Sequence, residues 1–225
     1  MKKIKLIEDY LNELYSNPKC ELNYNSDFEL LICIMLSAQT TDKKVNIVSK
    51  ELFNKYDTIE KLSKADIKDL KQILRPLGNH NKKSVYIKEI SSIIYNDYNS
   101  KVPYKRNILE SFPGVGRKTV NVFFSELDIE PNIAVDTHVS RVSKRLSLVS
   151  DNDDVLKIEK RLRRIFKKET YNKLHLQLVL FGRYNCKSIN PNCKSCKLKD
   201  ICKYYKERNN YEKNVNKKFN RKWRI

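Results

Sequence analysis

The apolar residues of this chain recur mainly at intervals of three and four, the spacing that places them on one face of an α-helix. Such stripes run through residues 4–14, 45–56, 67–74, 85–94 and 155–165. Residues 28–36 are apolar on nearly every side, which predicts a helix buried all round. Helix N-caps are expected at four aspartates, Asp42, Asp66, Asp136 and Asp153. No segment sustains the alternation of a strand, so the pattern predicts an all-α fold.

The composition adds a strong positive charge to this helical pattern. Of 225 residues, 46 are Lys or Arg and 27 are Asp or Glu, which gives a net charge of +19 and a pI of about 9.6. A charge of this size indicates a polyanionic partner, most often nucleic acid, although it also serves general solubility. With 40% hydrophobic residues the chain can form a core, and with 4 Gly and 6 Pro it is neither collagen-like nor a flexible linker.

The hydropathy pattern and the N-terminus bear on the compartment. The apolar runs are too short for a membrane span. The N-terminus lacks the apolar region of a signal peptide, and Glu8 and Asp9 speak against a transit peptide. We therefore expect a cytoplasmic protein that is not secreted. In that compartment the six cysteines would be reduced thiols or metal ligands and not disulfides.

One segment combines a helix break with two glycines. In residues 109–119 (LESFPGVGRKT) a helical pattern stops at Pro113, turns through Gly114 and Gly116, and then resumes. Glycine permits a positive φ or the close approach of another group, and the free N–H groups at the start of the second helix suit a phosphate. The string is typical of the helix-hairpin-helix that binds DNA without sequence specificity. The two glycines alone would fit an ordinary helix–helix turn equally well.

Four of the six cysteines cluster in sequence, with six, two and five residues between them: Cys186, Cys193, Cys196 and Cys202. Four thiolates spaced in this way can hold a metal centre. The spacing alone leaves a structural zinc ion and a 4Fe–4S cluster both open. Cys20 and Cys33 fall in or beside apolar stretches and are predicted to be core residues.

Four motifs taken together resemble the endonuclease III family of DNA glycosylases and abasic-site (AP) lyases. They are residues 36–42 (LSAQTTD), 113–119 (PGVGRKT), 135–138 (VDTH) and the cysteine loop. The resemblance implies a two-lobed, all-α helix-hairpin-helix DNA glycosylase fold. Its parts would be a six-helix barrel domain at 21–129, an iron–sulfur cluster domain formed by 1–20 and 130–206, and a basic C-terminal tail at 207–225.

The same resemblance implies a monomeric base excision repair enzyme that acts on double-stranded DNA with an oxidised pyrimidine or an abasic site. Lys118 would attack the sugar, form a Schiff base and cleave the strand on the 3′ side by β-elimination. Asp136 would be the carboxylate that stabilises positive charge on the sugar. The four clustered cysteines would hold a 4Fe–4S cluster. DNA contacts are expected at Gln39, His80, Gly114, Val115, Gly116, Arg117, Thr119, Arg183 and Lys187.

The sequence departs from the family pattern in the loop at residues 77–82 (LGNHNK). The position after Gly78 is usually aliphatic in the family and inserts between bases, whereas here it is Asn79. An amide gains less than an alkyl group from entering a base stack, so strand separation is expected to depend on Gln39 or His80. Gln39 resembles the family residue that fills the gap left by the flipped nucleotide; capping of the preceding helix is the alternative.

Two alternatives stay open at the level of sequence. The rival to the enzyme is a non-catalytic DNA-binding protein with a hairpin and a structural zinc loop, which leaves the motif positions of Lys118 and Asp136 unexplained. The segment 203–225 carries nine Lys or Arg against two Glu. It is predicted either to settle on DNA or to pack as a helix on the cluster domain.

Overall fold

The computed structural model describes residues 2–211, and within them every regular element is helical, which confirms the all-α prediction there. No helix among these residues is long and apolar enough to cross a membrane. Short 3₁₀ turns occur at Lys168–Thr170 and Lys199–Ile201, and a π-helical turn at Phe181–Asn185. The α-helices are α1 (Lys2–Leu14), α2 (Asp27–Leu36), α3 (Asp42–Lys55), α4 (Ile59–Ser63), α5 (Ile67–Ile73), α6 (His80–Asp97), α7 (Arg106–Leu109), α8 (Arg117–Glu126), α9 (Thr137–Arg145), α10 (Val155–Ile165) and α11 (Tyr171–Leu180).

The chain divides into two compact units. One unit is the continuous segment Cys20–Glu130, which contains α2 to α8. The other unit is discontinuous, because it joins the segment that ends at Lys19 to the segment that begins at Pro131. Each unit has its own hydrophobic core.

Helix α2 forms the centre of the Cys20–Glu130 unit. Phe28 and every residue of 30–36 are buried, as the continuous apolar run predicted. The helix starts at Ser26, whose side chain accepts a hydrogen bond from the Glu29 N–H at 3.2 Å. It packs against α3, α6 and α8, so its apolar surface is covered on several sides. The motifs 36–42 and 113–119 form the turns that lead into α3 and α8 and the first residues of these helices.

The buried face of α6 differs at one position from the stripe predicted in the sequence. Val85 is 37% exposed, and the apolar residues that face the core are Ile87, Ile90 and Ile94. A lysine, Lys83, lies on the same buried face, four residues before Ile87, and is only 4% exposed. Of the predicted stripe, Ile90 and Ile94 are buried and Ile93 packs against the same core, so only the placement of Val85 was wrong.

Two of the four predicted N-caps are confirmed. Asp66 caps α5 and accepts from the Lys68 N–H, and Asp136 caps α9. The prediction for Asp42 was wrong, because Asp42 is the first residue of α3 and Thr41 precedes it as the N-cap. An acidic residue in the first turn is favourable for the helix dipole, so Asp42 supports the same helix from inside it.

The prediction for Asp153 was also wrong by one residue. The neighbouring Asp154 caps α10, accepting from the Lys157 N–H at 2.8 Å. Asp153 is buried, accepts from the Ser150 N–H at 2.8 Å and pairs with Arg161 at 3.0 Å. Asp153 therefore closes the turn that leads into the helix.

The discontinuous unit is built on α1, α9, α10 and α11. Ile7 and Leu11 of α1 are fully buried, and α1 packs against α11. Helix α9 packs against α10, α11 and the π-helical turn. Its closest approach to that turn is at Gly182, where an added Cβ would lie 2.7 Å from the His138 Cβ. A side chain at position 182 would therefore push α9 away.

Residues 203–211 are helical and belong to the discontinuous unit. Tyr204 lies under the Arg145 guanidinium, 4.0 Å from it, and Lys203 pairs with Asp151. Tyr211 is 72% exposed. The prediction that the tail settles on DNA concerns mainly residues 212–225, which lie outside the described residues.

Candidate functional site

The hairpin motif joins α7 to α8 through a tight turn. Phe112 and Val115 are buried and anchor the turn, and the Val115 N–H donates to the Phe112 carbonyl at 3.0 Å. Gly114 has φ +75°, and an added Cβ would lie 2.5 Å from Cδ2 of Tyr86. Position 114 therefore requires glycine both for its left-handed backbone and for the tyrosine ring packed on it.

Gly116 is the N-cap of α8 and differs from Gly114. Its φ is −106°, and an added Cβ would meet nothing within 4 Å. Because glycine has no side chain, the first turn of α8 receives no capping acceptor from this position. An open helix N-terminus of this kind, with no Cβ in front of it, is suited to an anion such as phosphate.

The predicted hairpin residues occupy the first turn of α8. Arg117 and Lys118 are exposed, and Thr119 is half-buried. Behind them, Arg106 fixes the two helices together by donating to Asn121 at 2.8 Å and pairing with Glu130 at 2.8 Å. Lys118 therefore projects from a rigidly held helix start.

Gln39 lies in the turn between α2 and α3. It has φ +58° and an exposed side chain. The turn is held from below by Lys83, whose ammonium donates to the carbonyls of Leu36 and Ala38 at 2.8 Å each and to the Thr40 hydroxyl at 3.2 Å. Burial lowers the pKa of Lys83.

The loop before α6 meets this turn. Asn79 also has a left-handed backbone, with φ +58°, and its Nδ2 donates to Oε1 of Gln39 at 3.2 Å. His80 is the first residue of α6 and is half-buried. The structure thus brings together Gln39 and Asn79, a pairing that the sequence did not indicate.

Asp136 is the N-cap of α9, and its Oδ1 accepts from the Val139 N–H at 2.7 Å. Its side chain is partly exposed, so the carboxylate is both fixed in direction and open to solvent. Lys118 belongs to the Cys20–Glu130 unit and Asp136 to the discontinuous unit.

His138, from the same motif, has a structural environment. Its Nδ1 is 3.1 Å from the Arg141 guanidinium, and its Cβ faces Gly182. Burial lowers the pKa of His138, and the cations of Arg141 and Arg183 act in the same direction, against the opposing effect of Asp136. These contacts place His138 between α9 and the π-helical turn as a packing residue.

The four clustered cysteines line one small cavity: Cys186, Cys193, Cys196 and Cys202. Burial raises the pKa of Cys193, Cys196 and Cys202, and the neighbouring cysteines raise it further. Four thiolates could therefore share this space only around a positively charged group. Within residues 2–211, however, no group of three or more His, Cys, Asp or Glu is arranged to hold a single metal ion.

The other two cysteines pack in the core of the Cys20–Glu130 unit, as predicted. Cys33 is fully buried in α2, and burial raises its pKa to about 11. Cys20 is partly buried against the same core. Neither lines the cavity of the clustered cysteines.

A residue that the sequence did not indicate stands beside the cysteine cavity. Arg145 donates to the Cys186 thiol at 3.3 Å, to the Lys187 carbonyl at 2.6 Å and to the Ser188 carbonyl at 3.2 Å. It fixes the start of the cysteine loop and places a cation next to a thiol. The signal was its place four residues after Arg141, on the same face of α9.

The two cations expected to present this loop to DNA lie at its beginning. Arg183 is half-buried in the π-helical turn, and the Lys187 side chain is exposed. Among the loop lysines, Lys197 pairs with Glu13 at 2.6 Å. The charge of Lys197 is therefore partly neutralised by a carboxylate of α1.

This combination of a helix-hairpin-helix, a lysine on its second helix and a cysteine-lined cavity defines a class of DNA repair protein. Residues 32–168 match the family model described as HhH-GPD superfamily base excision DNA repair protein. The chain is 41% identical to endonuclease III of Bacillus subtilis (strain 168) over 203 residues, 90% of this chain and 93% of that protein. It is 36% identical to endonuclease III of Escherichia coli (strain K12), over 91% of this chain and 97% of that protein. The chain belongs to the endonuclease III family.

Solved structures give the same result. A trapped endonuclease III–DNA covalent intermediate in an estranged-adenine complex superimposes with a TM-score of 0.87 at 41% identity, over 92% of this chain and 97% of that chain. A non-covalent endonuclease III–DNA complex gives a TM-score of 0.88 over the same shares. As a member of this family, the chain is a DNA glycosylase and AP lyase of base excision repair. The non-catalytic alternative is not favoured.

Proposed function

We propose that this protein removes oxidised pyrimidines from double-stranded DNA and then cleaves the strand 3′ to the abasic site through a Schiff base on Lys118. The observation that carries the proposal is the exposed Lys118 in the first turn of α8, immediately after the open N-cap at Gly116. A phosphate bound at that helix start would hold the DNA backbone beside the lysine amine.

The lysine chemistry proceeds in two stages. A base inside a duplex is out of reach, so the damaged nucleotide is first flipped out, at a cost of a few kcal/mol. The neutral amine of Lys118 forms a bond to C1′ while the C1′–base bond breaks and the base leaves with its electron pair. Loss of the amine proton and breakage of the C1′–O4′ bond, with its electron pair going to O4′, convert this adduct to an iminium. The iminium makes the C2′ proton acidic, and removal of that proton breaks the C3′–O bond and releases the 3′ phosphate with the downstream strand.

Asp136 supports this reaction as a carboxylate of fixed direction. Its hydrogen bond from the Val139 N–H holds one oxygen in place, so little reorganisation is needed when positive charge develops on the sugar. The same carboxylate can move protons between the sugar and the leaving base. Capping a helix and stabilising charge are compatible roles for one residue.

The DNA contacts follow from the same geometry. The turn from Gly114 to Gly116, with Arg117 and Thr119, binds phosphate at the start of α8. Gln39 occupies the gap left by the flipped nucleotide. His80, Arg183 and Lys187 add contacts to the backbone, and the net charge of +19 supports binding that weakens with salt. The protein acts as a monomer on DNA in the cytoplasm.

The cysteine cavity fits a 4Fe–4S cluster better than a zinc ion. The four cysteines line one pocket, yet within the described residues no three of them are arranged to hold a single metal ion. A cluster of this kind, held by Cys186, Cys193, Cys196 and Cys202, would organise the loop that presents Lys187. Arg145 would balance part of its negative charge.

Borohydride trapping on a duplex with an abasic site tests the lyase. Wild-type protein should give a covalent adduct, because hydride reduces the Schiff base to a stable amine. Lys118→Ala should give none while still binding the duplex, and Lys50→Ala, which removes an exposed lysine from α3, should behave as wild type. An undiminished adduct with Lys118→Ala would show that another amine is the nucleophile.

Metal analysis tests the cofactor. Protein prepared without oxygen should be yellow-brown and contain about four irons per chain. Cys196→Ser should lose iron and stability, because metal binding and folding are coupled. Cys20→Ser should keep its iron, since Cys20 lies outside the cavity. Colourless wild-type protein with one zinc would contradict the assignment.

A further inference from the structure

Asn79 and Gln39 form a pair of amides at the surface of the Cys20–Glu130 unit. The two side chains are 40 residues apart in sequence, both are exposed, and they share one hydrogen bond of 3.2 Å. Both residues have φ +58°, which ordinary residues adopt rarely. Because both backbones are left-handed, the two turns direct their side chains towards each other, and the amides meet through the hydrogen bond.

The pair is held in place before any ligand arrives. On one side, Lys83 fixes the turn of Gln39 through the carbonyls of Leu36 and Ala38. On the other side, the Asn79 carbonyl accepts from the Lys83 N–H at 3.1 Å, as the first bond of α6. One residue therefore holds both halves of the pair.

The pair lies at a fixed distance from the hairpin. Tyr86, packed on Gly114 of the hairpin turn, is seven residues after Asn79 along α6. That separation is about 10 Å along a helix axis. DNA bound at the hairpin is therefore within reach of the two amides.

The chemistry of the pair differs from that of an alkyl wedge. The bond between the amides uses one N–H of Asn79 and one lone pair of Gln39. This leaves the Gln39 NH₂ group as a donor and the Asn79 Oδ1 atom as an acceptor, side by side. A base edge with a donor next to an acceptor satisfies both, whereas an alkyl group is indifferent to the edge it meets.

We propose that the Gln39–Asn79 pair recognises, by hydrogen bonds to its Watson–Crick edge, the purine left unpaired opposite the flipped-out nucleotide. The inference rests on the proposed function and adds a specificity-determining residue, Asn79, to it. With Gln39 in the gap left by the flipped nucleotide and Asn79 beside it, affinity depends on which hydrogen-bonding groups the orphaned base presents. Amides desolvated against a base without those groups lose their bonds to water and gain nothing in return.

Binding to duplexes with a tetrahydrofuran abasic analogue tests this recognition without cleavage. The base opposite the analogue is adenine, guanine or unsubstituted purine, which keeps the bicyclic shape but lacks the exocyclic groups. Wild type should bind the better of the two natural purines about tenfold more tightly than unsubstituted purine, the scale of one bidentate contact. Asn79→Leu should reduce that ratio to about twofold or less.

Asn99→Leu is the matched control. Asn99 is also exposed and left-handed, with φ +49°, and follows the far end of α6. The same substitution there carries the same backbone strain, so it should keep the wild-type ratio. Asn79→Gly removes the amide and suits the left-handed backbone, so it serves as a second variant if Asn79→Leu folds poorly. It should lower the affinity ratio to about the same value as Asn79→Leu does.

The outcomes separate the inference from the function on which it rests. If Asn79→Gly keeps the wild-type affinity ratio, the proposed recognition of the purine is wrong. It is also wrong if wild-type protein gives the borohydride adduct but binds natural and unsubstituted purine equally well. Wild-type protein without any adduct contradicts the proposed lyase function instead. Loss of the ratio in both Asn79 variants, with the adduct retained, supports the inference.

Discussion

Lys83, the buried lysine of α6, should contribute measurably to the free energy of unfolding. Lys83→Met keeps the length and apolar stem of the side chain and removes the ammonium that three acceptors share. Each carbonyl left without a donor costs about 1–3 kcal/mol, and release of the buried charge offsets part of this. We expect a net loss of about 2–4 kcal/mol in the free energy of unfolding.

Urea and thermal unfolding measure this loss. At about 2–4 °C per kcal/mol, the melting temperature should fall by about 5–15 °C. Lys88→Met is the matched control on the same helix, because the Lys88 ammonium donates to one carbonyl, that of Ala65, at 2.8 Å and is only half-buried. It should cost about 0.5–1.5 kcal/mol. The reasoning is refuted if Lys83→Met is no more destabilising than Lys88→Met.

The pKa of Lys83 adds a dependence on pH. Burial lowers this pKa from the ordinary 10.5, so folded Lys83 releases its proton at a lower pH than the unfolded chain does. In the interval just below pH 10.5 the unfolded state binds more protons, and Lys83 then contributes increasing stability as the pH rises. The difference in unfolding free energy between wild type and Lys83→Met should therefore widen towards pH 10.5.

Two further substitutions separate structure from chemistry at the other motifs. Gly114→Ala should destabilise the fold by about 2–4 kcal/mol, from a positive φ and overpacking against a ring, whereas Gly116→Ala should leave the melting temperature nearly unchanged and weaken DNA binding measured by anisotropy. A stable Gly114→Ala protein would contradict the packing argument. Asp136→Asn should slow base release in single-turnover assays by about 10²-fold or more with little change in stability, since Asn also caps helices. Asp66→Asn, which changes a helix cap outside the site, should leave the rate of base release unchanged. If the two substitutions change that rate equally, Asp136 acts only as a helix cap.

Local signals in the sequence were sufficient for much of the fold. The apolar run of α2 predicted a helix buried on nearly all sides because Glu29 is the only polar residue in 28–36. Asp136 was predictable as a cap because a capping residue needs only the backbone that follows it. The two glycines of the hairpin predicted a turn. The sequence did not show that only Gly114 is sterically required, because the Tyr86 ring packed on it comes from another helix.

The errors arise where two neighbours compete or where partners are distant. Asp153 and Asp154 are adjacent carboxylates, and only the fold of the turn decides that Asp153 binds the Ser150 N–H. Lys83 stands on the apolar stripe of α6, which marks it as unusual, but its acceptors lie more than 40 residues away in sequence. The pairing of Asn79 with Gln39 depends on the same distant contact.

The discontinuous unit has a consequence for synthesis on the ribosome. The segment Cys20–Glu130 is continuous, so it can fold as soon as it has emerged. Helix α1 is made first but packs against α11, and it must wait for more than 150 further residues. At about 5–20 residues per second this delay is on the order of 10 s or more. During that time the apolar face of α1, with Ile7 and Leu11, is without its partner, and a chaperone or the ribosome surface is the natural place for it to be shielded.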